Sequence, residues 1–74
     1  MNNIVRELRA KHKMSQEVLA DKANTTRQTI IRIEKGEKPS FNIAMNISKV
    51  FDKSVNDIFF NKIVSQVIQN GNIT

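Results

Sequence analysis

Apolar residues recur at helical spacing through most of the first 60 positions of the chain. Close to the N-terminus, Ile4, Val5 and Leu8 form one stripe, and Arg6 and Glu7 lie on the opposite side. Spacings of three and four residues place apolar side chains on one side of a helix, whereas a half-buried strand alternates apolar and polar residues. Because no part of this region alternates in that way, the pattern predicts an all-α fold.

Hydroxyl residues mark where the later helices begin. A Ser or Thr before a helix accepts a hydrogen bond from a backbone N–H that has no partner in the first turn. Such residues stand before each of the next four apolar stripes, at Ser15, at Thr25 or Thr26, at Ser40 and at Ser54. Together with the N-terminal stripe, they predict five helices within residues 1–60.

The link between the second and third stripes predicts a steep crossing of two helices. Ala20 is small enough to let the next helix approach closely, and Asn24 tolerates the positive φ that a tight link requires. Ile30 and Ile33 then direct branched apolar side chains back towards the second helix, and Gly36 is a typical helix end. This is the arrangement of a helix-turn-helix, here at about residues 16–35, whose second helix docks in the major groove of DNA.

Charge and composition narrow the classes of function. The chain has 12 Lys and Arg against 7 Asp and Glu, a formal net charge of +5. This balance favours polyanionic partners such as nucleic acid, although solubility alone accounts for it equally well. With no cysteine and a single histidine, His12, the sequence predicts no disulfide and no metal site, and it has no phosphate-binding glycine loop. We therefore expect a protein that is not an enzyme and that uses no cofactor.

The N-terminal segment does not resemble a secretion signal, because Arg6, Glu7 and Arg9 interrupt its apolar residues. No stretch approaches the roughly 20 apolar residues that span a bilayer. We therefore expect a cytoplasmic protein without a membrane partner.

An ordered run of motifs covers most of the helical region. Residues 15–40, SQEVLADKANTTRQTIIRIEKGEKPS, carry Ser-Gln, Leu-Ala, a tight link, Ile-x-x-Ile-Glu-x-Gly and Pro-Ser in that order. This run resembles the helix-turn-helix of the Xre family, which includes the phage Cro and CI repressors. The resemblance continues through residues 40–60, SFNIAMNISKVFDKSVNDIFF. It implies a five-helix Cro/CI-type domain over residues 1–60 and a bacterial or phage-encoded transcriptional regulator, a repressor that binds a palindromic operator in double-stranded DNA as a homodimer.

The resemblance also implies roles for individual residues. Gln16 matches a glutamine that holds a DNA phosphate and braces the recognition helix, which is the second helix of the motif. Base and phosphate contacts are implied for the start of the recognition helix and for one position a turn later: Thr26, Arg27, Gln28, Thr29 and Arg32. Arg9 and Glu34 match an ion pair that ties the first helix to the third, and we expect the role of this pair to be structural.

The chemistry of these side chains agrees with DNA binding. Arg can donate two hydrogen bonds to guanine, Gln can pair with adenine, and Thr can donate to a phosphate or contact a thymine methyl. Lys35 and Lys38 follow the recognition helix, where they can contact phosphates without reading sequence. Taken alone, a basic helix face is more often solvated surface, but the helix-turn-helix context favours DNA contacts here.

Three residues depart from the family pattern. Asn24 replaces a frequent glycine, Val18 stands where a glutamate often completes a capping box, and Asp52 replaces a usual glycine. The last change predicts modest backbone strain or a shifted end of the fourth helix. None of the three removes a side chain that is expected to face DNA.

Residues 61–74 differ in character from the region before them, because Lys62 is their only charged residue. Starting from Phe59 and Phe60, apolar pairs recur every four positions, and this spacing supports a helix. The later pairs consist of β-branched residues, which support a strand equally well, so the helix and the strand both remain open. The side chains of these pairs exceed what a small core can absorb, and we expect them to form a homodimer interface: Phe59, Phe60, Ile63, Val64, Val67 and Ile68. The alternative is that they bind a foreign protein, as in an antitoxin that neutralises a partner and binds DNA secondarily.

Overall fold

The computed structural model describes residues 2–60, which form five helices. No strand occurs within these residues, so the prediction of an all-α fold with five helices is confirmed. The helix or strand expected at residues 61–74 lies outside the described residues. None of the helices within residues 2–60 has the length and apolar character needed to cross a membrane. In chain order they are α1, Val5–Lys11; α2, Gln16–Lys22; α3, Arg27–Glu34; α4, Phe41–Phe51; and α5, Asn56–Phe60, which is wound as a π-helix.

The predicted hydroxyl caps accept backbone hydrogen bonds at the starts of α2 to α5. The oxygen-to-nitrogen distances lie between 3.0 and 3.3 Å. Of the two neighbouring threonines, Thr26 caps α3. α1 has no hydroxyl cap, and Asn3 instead accepts from the N–H of Val5 at 3.1 Å. The four hydroxyl acceptors and their donors are Ser15 with Val18, Thr26 with Thr29, Ser40 with Ile43, and Ser54 with Asp57.

Each of the first four helices is followed by one residue in the left-handed conformation. The φ angle is 56° at Lys13, 57° at Asn24, 114° at Gly36 and 52° at Asp52. In every case the next residue donates its N–H to a carbonyl in the last turn of the helix, which satisfies a group that would otherwise lack a partner. Asn24 and Gly36 behave as predicted, and Asp52 takes the strained conformation rather than shifting the end of α4. Lys13 was not predicted, because lysine carries no local signal for positive φ and a non-glycine residue there costs about 1–2 kcal/mol.

The core lies where α2 and α3 cross and is closed by the other three helices. Ala20 of α2 is 3% exposed, and Ile30 and Ile33 of α3 are buried against it, as the predicted crossing requires. α5 joins the N-terminal segment through a hydrogen bond from the Ile4 N–H to the Ile58 carbonyl, at 3.0 Å. The buried apolar side chains form one cluster: Val5, Leu8, Leu19, Ala20, Ala23, Ile30, Ile33, Ala44, Ile47, Phe51, Ile58 and Phe59.

The position of Phe59 corrects one prediction. The sequence predicts this residue in a homodimer interface, because six apolar side chains exceed what the core of so small a domain can absorb. The Phe59 side chain is only 1% exposed and belongs to the core cluster, so nearly all of its surface is already buried within its own chain. Phe60 is half-buried and packs against the same cluster. The core therefore takes up one more aromatic ring than the sequence suggested.

Candidate nucleic-acid interface

The link between α2 and α3 fixes how the recognition helix leaves the domain. Asn24, in the left-handed conformation, donates its N–H to the Asp21 carbonyl at 3.2 Å, and Thr25 donates to the Ala20 carbonyl at 2.9 Å. These two bonds close the end of α2, and Thr26 caps α3 immediately afterwards. The chain therefore turns within the four residues 23–26 that separate α2 from α3.

Burial separates α3 into an inner and an outer side. Ile30 and Ile33 are buried, whereas Arg27, Gln28 and Arg32 are exposed. α3 has no acidic residue in its first turn. The outer side therefore presents two cations and one amide, with the amide and Arg27 at the N-terminal end of the helix.

The side chains of the two threonines at the start of α3 are held by hydrogen bonds within the helix. The hydroxyl oxygens of Thr26 and Thr29 lie 3.0 Å apart and share a hydrogen bond. Thr26 is exposed and also accepts from the Thr29 N–H, while Thr29 is half-buried. These two hydrogen bonds tie the threonine side chains to each other and to the backbone in the first turn of α3.

A polar network of three side chains joins α1, α2 and α3. The guanidinium of Arg9 donates from Nε to Glu34 Oε2 at 2.5 Å and from Nη2 to Glu34 Oε1 at 3.1 Å. Gln16, the first residue of α2, donates from Nε2 to the same Oε1 at 3.1 Å. Arg9 also donates from Nη1 to the Met14 carbonyl at 2.9 Å. Glu34 is the last residue of α3, so the network holds that end of the recognition helix to both other helices.

The network is largely shielded from solvent. The Arg9 and Glu34 side chains are 15% and 7% exposed. The hydrogen bond to Glu34 raises the pKa of Arg9, desolvation by burial opposes this, and the Glu34 charge adds to the rise. Arg9 therefore stays charged, and the position of both partners between helices fits a structural role.

The remaining predicted contact residues lie at the other end of α3. Lys35 is the C-cap of α3 and Lys38 lies in the loop that follows, and both are exposed. A helix rises about 1.5 Å per residue, so Lys35 lies about two turns from Arg27. The structure thus places Arg27 and Gln28 at one end of the helix and the two lysines at the other, with Arg32 between them. Of the residues predicted for the dimer interface, Ile63, Val64, Val67 and Ile68 lie outside the described residues.

Two asparagines that the sequence analysis did not single out support this surface. Asn3 donates from Nδ2 to the Ile33 carbonyl, near the end of α3, at 2.8 Å. Asn46 of α4 donates from Nδ2 to the carbonyl of Ala23, the C-cap of α2, at 2.9 Å. The position of Asn3 before an apolar stripe is a weak signal for a helix cap. The distant carbonyl that each asparagine binds cannot be predicted from the neighbouring sequence.

Comparison with known proteins agrees with this geometry. A family model described as helix-turn-helix matches residues 5–58. An HTH-type transcriptional regulator of Methanocaldococcus jannaschii is 47% identical over 60 residues, which is 80% of this chain and 91% of that protein. The HTH-type transcriptional regulator YgzD of Bacillus subtilis is 44% identical over 61 residues, covering 81% and 92% of the two chains. These matches confirm the resemblance to the Xre group, and the chain belongs to the helix-turn-helix family.

Proposed function

We propose that this chain is a sequence-specific transcriptional repressor that binds a palindromic operator as a homodimer. One observation carries the proposal: Arg27 and Gln28 are exposed at the start of a helix whose other side is buried in the core. In a helix-turn-helix, the N-terminal residues of this helix contact base edges in the major groove. The names of the relatives, which call them HTH-type transcriptional regulators, support the same class of function.

The exposed side chains divide into two kinds of contact. Arg27 and Arg32 are suited to guanine and Gln28 to adenine, because each can form two hydrogen bonds with the base edge. Lys35 and Lys38 are suited to phosphates, which orient the protein without reading sequence. Three residues of the predicted interface remain. We assign Gln16 and Thr26 to contacts with a phosphate, and Thr29 to a contact with a phosphate or a thymine methyl.

Gln16 has a second task in this proposal. Its Nε2 already donates to Glu34, so the amide is held in one orientation before DNA arrives. The side chain is half-buried and lies at the N-terminal end of α2. A phosphate contact at this point would therefore cost little further side-chain entropy, because that freedom is already lost.

The two parts of the chain have different roles in the proposal. Residues 1–60 form the DNA-binding domain, and residues 61–74 contribute to homodimer formation. A palindromic operator presents two half-sites about one helical turn apart, so two copies of α3 must be held in a fixed relation. Phe60 is the described residue of the predicted interface that keeps part of its surface exposed, and Ile63, Val64, Val67 and Ile68 complete the set. A dimer seated across a promoter would block RNA polymerase.

Alanine variants of Gln28 and Lys38 test the division between base and phosphate contacts. On a DNA fragment that the wild-type chain selects from a random pool, Gln28→Ala should weaken binding by about 5- to 150-fold for each half-site, since each bidentate base contact is worth about 1–3 kcal/mol. The same variant should bind random DNA as the wild type does. Lys38→Ala should weaken binding to both DNAs similarly and reduce the slope of log K against log salt by about 1 per chain.

Fluorescence anisotropy at several salt concentrations measures both quantities. Circular dichroism of each variant serves as the folding control, because both side chains are exposed and neither substitution should alter the helices. A Gln28→Ala variant that loses affinity equally on selected and random DNA, or a Lys38→Ala variant that loses it on the selected DNA alone, would contradict the proposed roles.

A further inference from the structure

Phe41 is the most exposed large apolar side chain among the described residues. It is the first residue of α4, and 78% of its surface is accessible. Val18, at 43%, is the other exposed large apolar residue in residues 2–60. The remaining phenylalanines described, Phe51, Phe59 and Phe60, are buried or half-buried. A ring held this far into solvent on the first turn of a helix contributes little to the fold of a single chain.

The ring forms one wall of an apolar groove. The groove has a volume of about 190 Å³, and its only charged residue is Lys38. Its other walls come from the loop after α3, from α4 and from the segment that ends in α5: Pro39, Ala44, Val55, Phe59 and Phe60. A concave apolar surface with an aromatic side chain at its edge is the kind of feature that anchors protein interfaces.

We propose that a second copy of this chain covers the groove, with Phe41 as the central apolar contact of the dimer. This inference rests on the proposed function and names the surface through which the two copies pair. The groove borders the end of the recognition helix, because only the loop 35–40 separates Glu34 from Phe41. Pairing at this point would therefore fix the distance between the two recognition helices, as an operator with two half-sites requires.

The composition of the chain beyond the described residues favours the same occupant. Phe60, which is the last described residue, lines the groove, and residues 61–74 follow it in the sequence. They bring one charge, Lys62, and five aliphatic residues, of which four, Ile63, Val64, Val67 and Ile68, fall in two adjacent pairs. In a two-fold dimer each copy supplies both the groove and this apolar segment, so one kind of chain provides the complete interface.

Sedimentation of the full chain without DNA tests the proposal. Phe41→Ser should raise the dimer dissociation constant by at least about 100-fold, because the dimer loses two buried aromatic rings. Val18→Ser is the matched control, since it removes the other exposed apolar side chain and should leave the dissociation constant unchanged. Both variants should keep the wild-type helical circular dichroism, because neither side chain belongs to the core cluster.

Fluorine NMR of the protein with Phe41 in place identifies what covers this side chain. The chain contains 4 phenylalanines, so the protein labelled with fluorophenylalanine gives four fluorine signals, and Phe41→Leu assigns the one of interest. We expect the solvent isotope shift of this signal to fall as protein concentration rises, in step with dimer formation. A Phe41 signal that is protected from solvent in a species that sediments as a monomer would mean that the chain covers its own groove. This result would overturn the proposal.

Three other results would also overturn it: a wild-type chain that stays monomeric at tens of micromolar, a Phe41→Ser variant that dimerises like the wild type, or a Phe41 signal that stays solvent-exposed in the dimer. These results are separate from a failure of the DNA-binding proposal. Gln28 is not among the residues that line the groove, so Gln28→Ala should dimerise normally whatever its effect on DNA. A chain that dimerises through Phe41 but shows no sequence preference would retain the interface and contradict the proposed function instead.

Discussion

Replacement of Glu34 by alanine should lower the free energy of unfolding by about 3–5 kcal/mol, which is the usual effect of removing one partner from a buried ion pair. The carboxylate accepts two hydrogen bonds from Arg9 and one from Gln16, and its side chain is 7% exposed. Without it, the Arg9 guanidinium remains inside the domain with only the Met14 carbonyl as a partner. A domain of this size has only about 5–10 kcal/mol of stability in total, so the loss should be severe.

Urea unfolding followed by circular dichroism measures this loss. The double variant Arg9→Met, Glu34→Leu provides the control, because replacing both charges with apolar side chains of similar volume is often neutral or stabilising. We expect it to recover most of the stability that Glu34→Ala loses. A Glu34→Ala variant as stable as the wild type would show that the network does not hold the three helices together.

The second large effect is expected at Phe59. Its side chain is 1% exposed and belongs to the core cluster, so Phe59→Ala should lower the free energy of unfolding by about 3–5 kcal/mol through lost burial and a new cavity. Phe60→Ala is a closely matched control, since it changes the same residue type at the next position. Phe60 is only half-buried, and its replacement should cost clearly less.

The same urea experiment decides between the two positions. Equal losses for Phe59→Ala and Phe60→Ala would mean that the two rings contribute alike and that Phe59 has no special place in the core. A small loss at Phe59 combined with weakened dimerisation would restore its predicted role in the interface between two chains.

Local signals in the sequence predicted much of this fold because they act over a few residues. Ser15, Thr26, Ser40 and Ser54 cap helices through bonds to N–H groups three residues away, so their spacing from the apolar stripes is sufficient to place them. Ile30 and Ile33 face inward because helical periodicity fixes their side. The exposure of Arg27 and Gln28 then follows, since the outer side of a helix is set by its inner one.

The features that sequence analysis missed depend on contacts between distant parts of the chain. Asn3 binds a carbonyl 30 positions away and Asn46 one that is 23 positions away, and no local pattern encodes either partner. Lys13 adopts a positive φ because the end of α1 must turn, not because lysine favours that conformation. Phe59 was misplaced for a similar reason, because the capacity of a core depends on how α5 packs against the other helices.

The central claim is that the crossing of α2 and α3 presents Arg27 and Gln28 to the bases of DNA. Selection of bound fragments from a random DNA pool by the purified full chain, repeated with Gln28→Ala, tests this claim most directly. The wild type should enrich an inverted repeat whose half-site centres lie about 10–10.5 base pairs apart, and the variant should lose its preference at one symmetric pair of positions. If the wild type enriched no motif, or the variant enriched the same motif unchanged, α3 would not read DNA through these residues.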